Sequence, residues 1–118
     1  MPINPYSEDE RLQLMLSCCY AAVKTGFDHL AVRDIINPPH EWFDAALARQ
    51  IAIHILATAF DVPRRRIVTM QERRRASIAS AILAVDARLE HPVFERAYKR
   101  MTNRALSLFQ EQIERAAA

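Results

Sequence analysis

An all-α fold, a compact helical bundle containing a helix-turn-helix, is predicted for this 118-residue chain by three observations. Apolar residues recur at three- and four-residue intervals through most of its length, glycine occurs once (Gly26), and five of the six prolines fall outside the long periodic segments. With 51% hydrophobic and 25% charged residues the composition is that of a folded chain. Its length suits a single domain, residues 1–118, able to bury a core without metals or disulfides.

Ser7 followed by Glu10 has capping-box spacing, and Leu12, Met15, Leu16, Cys19 and Val23 then mark an amphipathic helix over residues 8–25, with Gly26 as its stop. The segment "DHLAVRDII", residues 28–36, reads as a short helix ended by Asn37 and the rigid pair Pro38-Pro39. From Glu41 to Phe60 the residues Phe43, Leu47, Ile51 and Ile55, widened by Ala46, Ile53 and Leu56, predict a central core helix. Trp42 and Phe43 are expected to staple the diproline loop to that core; an exposed aromatic binding spot is the alternative.

Asp61-Val62-Pro63 interrupts the pattern, and Pro63 suits the first turn of a helix carrying Arg64, Arg65 and Arg66, with Ile67 and Met70 inward. A turn at Gln71 to Arg73 leads to a further helix from about Arg74 to Glu90. Ile78, Ala81, Ile82, Val85 and Leu89 form its core stripe, and Ala76, Ala79, Ser80, Ala84 and Ala87 a small outer face. His91-Pro92 opens a last helix, about 92–117, with Phe94, Tyr98, Met101, Ala105, Leu108 and Ile113 as its stripe. That helix either completes the bundle or supplies a seam for a homodimer or a protein partner.

Charge is unevenly spread: residues 1–62 carry a net −4, residues 63–104 a net +7 and residues 105–118 a net −1. Fourteen of the sixteen basic residues are Arg, which favours bidentate contacts to phosphate or to guanine edges. The adjacent Cys18 and Cys19 suit neither a disulfide framework nor a metal site and point to a reducing compartment. The polar start and the lack of a long apolar run exclude a signal peptide or membrane span, so a cytoplasmic, nucleoid-associated protein with no membrane partner is expected.

A short helix, a tight turn and a longer helix with an arginine-rich start is the helix-turn-helix arrangement, over about residues 63–90. On that reading Arg64, Arg65, Arg66 and Ser77 hold backbone phosphates. Arg73, Arg74 and Arg75 stand at the groove edge, within reach of phosphates or guanine O6 and N7, and the small face carrying Ala76 and Ser80 lets the helix sit deep.

Three segments carry a family resemblance: "ARQIAIHIL" (Ala48 to Leu56), "PRRRIV", and "RRRASIASAILAV" (Arg73 to Val85). Together they resemble the C-terminal DNA-binding domain of the bacterial chromosomal replication initiator DnaA, whose pattern reads approximately A-R-Q-[IM]-A-M-x-L, S-L-P-E-I-G, then G-R-D-H-T-T-V-x-H-A. Ala48-Arg49-Gln50-Ile51-Ala52 keeps the first element, and Ile67 falls on the family's buried Ile. Arg73, Ser77, Ile78 and Ala81 fall on the Arg, second Thr, Val and Ala of the last. The similarity covers residues 30–89, with one residue missing from the turn. It implies a DnaA C-terminal-domain-like (TrpR-like) helical fold that binds double-stranded DNA and regulates replication or transcription by occupancy.

The chain departs from the family in two places. Arg74-Arg75-Ala76 replaces the Asp-His-Thr that the resemblance would assign to base reading, and Asn37-Pro38-Pro39-His40 replaces basic residues expected at the minor groove. The family's ATP-binding AAA+ domain is not in the sequence, so a free-standing relative with shifted or relaxed sequence preference is expected. The four histidines lack metal-ligand or catalytic spacing, His54 reads as a satisfied core or boundary residue, and no phosphate loop is possible with one Gly. No enzyme activity, cofactor or small-molecule substrate is expected. "RRAS" (Arg74 to Ser77) also matches a basophilic kinase motif, a pattern that arises readily by chance. The alternative function is a protein-interaction module on the same fold that has lost specific DNA recognition.

Overall fold

The computed structural model describes residues 3–71 and 73–118. Six helices are found there: α1 (Glu8–Lys24), α2 (Val32–Ile36), α3 (Phe43–Thr58), α4 (Arg64–Gln71), α5 (Arg75–Arg88) and α6 (Pro92–Ala117), with no strand among the described residues. The all-α class follows from the periodicity, and the start of α6 at Pro92 from a residue whose missing N–H costs nothing in a first helical turn. Glu72, in the expected turn, lies outside the described residues, as do the first two.

Half of the expected capping box forms at α1. Ser7 Oγ accepts the Glu10 N–H at 3.4 Å, while the Glu10 carboxylate accepts from the Asn4 N–H instead of returning to Ser7. Glu8, Asp9 and Glu10 in the first turn complement the helix dipole. The helix ends at Lys24 with Thr25 as its cap, and Gly26 has no left-handed φ. Gly26 is needed for space rather than for its backbone freedom, since a Cβ there would lie 2.9 Å from Met101 Sδ on α6.

The short helix over residues 28–36 is reduced to α2, because Asp28 to Leu30 turn and bend the chain and Ala31 is extended. The Phe27 N–H donates to Lys24 O and the Leu30 N–H to Phe27 O, which spends the segment's hydrogen bonds locally and drops Leu30 into the core. α3 is the central helix, with Ala45, Ala48, Ile51, Ala52, Ile53, Ile55 and Leu56 all buried. α1, α2, α4 and α5 pack around it. Beyond its end Asp61 takes a left-handed φ of 53°, and the Val62 N–H returns to Leu56 O, reversing the chain before Pro63.

α5 turns Ile78, Ala81, Ile82 and Val85 onto α3, with Leu89 half-buried beside them, as its stripe predicts. α6 lies along α1 through Tyr98, Met101 and Ala105, and Phe109 meets Phe60 edge-on at 5.4 Å. At 26 residues α6 accounts for the 40 Å long axis of the molecule. His54 is buried and satisfied: Nε2 meets Asp86 Oδ1 at 2.6 Å, and Nδ1 faces the Tyr98 hydroxyl, joining α3 to α5 and α6.

Candidate nucleic-acid interface

α4 and α5 pack on each other through Ile67 and the α5 stripe, and the two arginine triplets stand at opposite ends of α4. α4 is eight residues long, about 12 Å at 1.5 Å rise per residue, and the first triplet fills its first turn. Arg64 and Arg65 are exposed at its start. Arg66 is not free: its Nη2 meets Glu8 Oε1 at 2.7 Å and its Nη1 is 4.0 Å from Asp9 Oδ1, so the acidic first turn of α1 shields it. Arg73, Arg74, Arg75, Ala76 and Ser80 are exposed around the first turns of α5, and Ser77 is half-buried.

Among the described residues that end of α5 shows no side-chain cap. Arg74 is the N-cap with no side-chain hydrogen bond, and the first turn holds no acidic residue. The Ser77 and Ile78 N–H groups donate to Arg74 O, and the exposed arginines stand at the positive end of the helix dipole, an arrangement that draws anions.

A cleft of ≈ 450 Å³ opens beside it, lined by Arg73, Ser77 and Ala81, by Phe43, Ala46, Arg49 and Gln50 of α3, and by Pro38, Pro39, Glu41 and Trp42 of the preceding loop. Arg49 went unassigned from sequence because it sits within the apolar pattern of α3. It is 6% exposed, and its Nε has no hydrogen-bond partner. Its Nη2 donates to Gln71 Oε1 at 2.7 Å, and the same oxygen accepts the Tyr20 hydroxyl at 3.0 Å, which fixes the last residue of α4 to α1 and α3. No carboxylate among the described residues pairs with Arg49. Burial, and after it the Arg73 charge, push the Arg49 guanidinium below its ordinary value. A desolvated cation beside a like charge is costly, and a bound anion relieves both terms of that cost.

The staple expected of Trp42 and Phe43 does not form. Trp42 is 50% and Phe43 66% exposed, and neither packs on the core; the Arg88 guanidinium lies 5.6 Å from the Phe43 ring centroid instead. Glu41, with a left-handed φ of 68°, turns the chain so that Trp42 caps α3 with its ring outside. The outer face of α5 is also less uniformly small than its alanines suggest, because Leu83 stands there 66% exposed.

No protein family, curated protein or solved structure matches the chain. Among the described residues no helix is long and apolar enough to cross a membrane, and no group of three or more His, Cys, Asp or Glu side chains could hold a metal ion.

Proposed function

We propose that this chain binds double-stranded DNA through α4 and α5, in the manner its resemblance to the DnaA C-terminal domain implies, and regulates replication or transcription by occupying its site. The observation that carries the reading is that Arg73, next to exposed Arg74 and Arg75, lines one cleft with the buried, anion-seeking Arg49. The length of α4, about 12 Å, is comparable to the width of the major groove, about 12 Å, so Arg64 and Arg65 at its start can meet one strand while the α5 end enters. Beyond Ser77 the outer face offers Ser80 and Leu83 among alanines, which favours contact with thymine methyl groups over hydrogen-bonded reading.

Fluorescence anisotropy of a random duplex and an initiator-box duplex, titrated at several salt concentrations, tests this directly. Roughly five or six phosphate contacts give a slope of log affinity against log salt of about −4 to −6. Arg65→Ala weakens both duplexes alike. Arg74→Ala with Arg75→Ala narrows any difference between them, each lost base contact being worth ~1–3 kcal/mol. Duplex retention unaltered by both changes would falsify the reading.

The exposed Leu83, Phe43 and Trp42 favour one other reading, a protein-interaction module. Ser80→Trp then abolishes a protein complex and leaves duplex retention as it was.

A further inference from the structure

The residues lining the Arg49 cleft differ in chemistry. α3, α5 and the turn before α5 contribute Arg49, Ser77 and Arg73; the loop before α3 contributes Pro38, Pro39, Glu41 and the half-exposed indole of Trp42. Its volume of ≈ 450 Å³ falls within the roughly 300–1,000 Å³ of small-ligand sites. The buried guanidinium with an unpartnered Nε is a built element of the cleft, and a guanidinium fork matches phosphate oxygens. A flat aromatic ring beside a phosphate seat matches the face of a base, and stacking on such a ring is how proteins hold bases that have left a duplex. Inside a duplex both base faces are covered by neighbours, so phosphate contacts there leave the indole unused.

We propose that the cleft is a single-nucleotide site for an unpaired nucleotide, with its phosphate on Arg49 and Arg73 and its base stacked on Trp42. The inference rests on the DNA reading for the phosphate and goes beyond it for the base. It gives the exposed aromatic of the diproline loop a use, and it extends the target from uniform duplex to DNA with a single-stranded segment, such as a fork, a bubble or an overhang. Glu41, at the rim of the same cleft, places a carboxylate where it can accept from the amino edge of adenine, cytosine or guanine.

Trp42 is the only tryptophan in the chain and lines this cleft as well as a neighbouring hollow beside His29 and Leu30, so an emission change is assigned to this cleft when Arg73→Ala, at a position lining only the first of the two, removes it. The experiment titrates the full chain at low salt with a short single-stranded oligodeoxynucleotide, the matching duplex, deoxyadenosine monophosphate and inorganic phosphate. Trp42 emission is followed in each, and the two DNA titrations are repeated by anisotropy of a labelled strand. The expected result is quenching by the single strand, with the duplex binding by anisotropy but leaving the emission near its starting value. Quenching by the mononucleotide as well assigns the site to free nucleotides and strands alike; quenching by the strand alone assigns it to strands. Trp42→Leu weakens single-strand binding roughly tenfold, as loss of one stacked base does. Arg73→Ala weakens it too, and both exposed positions leave the circular dichroism spectrum intact.

A strand that binds with Trp42 emission unchanged, or binds Trp42→Leu as tightly as the parent, overturns the inference while the duplex reading stands. The whole emission change produced by inorganic phosphate alone overturns the stacking. Quenching by the strand with no duplex binding at any salt leaves this site in place and sinks the duplex reading.

Discussion

Cys19, wholly buried between helices, shows how a single side chain sets a pH limit on the fold. Burial, reinforced by the neighbouring Cys18, pushes its thiol far above the ordinary range. The folded chain thus keeps Cys19 neutral while the unfolded chain ionises it near pH ~8.5. A raised acid contributes stability that is whole below the unfolded value and is lost as pH climbs towards the folded one. Above pH ~8.5 the free energy of unfolding is expected to fall with a slope approaching about 1.4 kcal/mol per pH unit from this residue, with Cys18 adding in the same direction. Urea denaturation across alkaline pH measures it, and Cys19→Ala makes the slope shallower whatever it does to stability at neutral pH. At this scale the sequence was legible where side-chain type decides the outcome. The cysteines and His54 are buried as their chemistry suggests, but the partners of His54 were hidden because Asp86 and Tyr98 lie on other helices. Arg49 was left without a role for the opposite reason: a charged residue inside a core helix gives no periodic signal of its own, and its role depends on Gln71 and Arg73 arriving from beyond α3.

Among the elements, α3, α5 and α6 were the most legible, since a stripe repeating every three or four residues over 14 or more positions has one way to bury itself. The segments misread were short. Residues 28–31 have helical composition but too little length between Gly26 and the diproline loop to support more than the five-residue α2, and Trp42 was expected to pin that loop to the core because side-chain type does not say which way a loop faces. The contact of the α1 end with α6 yields a test at this scale. Gly26→Ala puts a Cβ 2.9 Å from Met101 Sδ, an atom near the tip of a flexible side chain that can shift. The expected cost is about 1 kcal/mol. In a Met101→Ala background that obstacle is gone, so adding Gly26→Ala there is expected to be neutral or slightly stabilising. The coupling is read from urea midpoints of the two single variants and the double variant. Equal costs in both backgrounds would mean that the steric account of Gly26 is wrong.

Over the whole molecule the charge asymmetry read from the sequence becomes a local opposition, because folding brings the acidic start of α1 against the start of α4. Glu8 holds Arg66 at 2.7 Å, with both side chains partly in solvent. The pair therefore contributes little to stability, within about 0.5 kcal/mol, and its larger effect is to withhold one cation from any polyanion meeting α4. Glu8→Gln removes the charge and keeps the shape. Its urea midpoint should stay near that of the parent, while DNA binding gains one available phosphate contact. The salt slope then steepens by roughly 0.9, and affinity at low salt rises by about three- to tenfold, as one charge-assisted contact brings. Arg66→Ala should leave the parent slope almost unchanged but abolish the gain in a Glu8→Gln background, because the freed cation is the one the gain depends on. If Glu8→Gln raises affinity without steepening the slope, relief of repulsion between DNA and the acidic turn is at work, and Arg66 takes no phosphate. If the slope steepens and the gain disappears with Arg66, the first turn of α1 acts as an internal competitor for the phosphate backbone, and the net −4 of residues 1–62 tempers the affinity of the basic segment that follows.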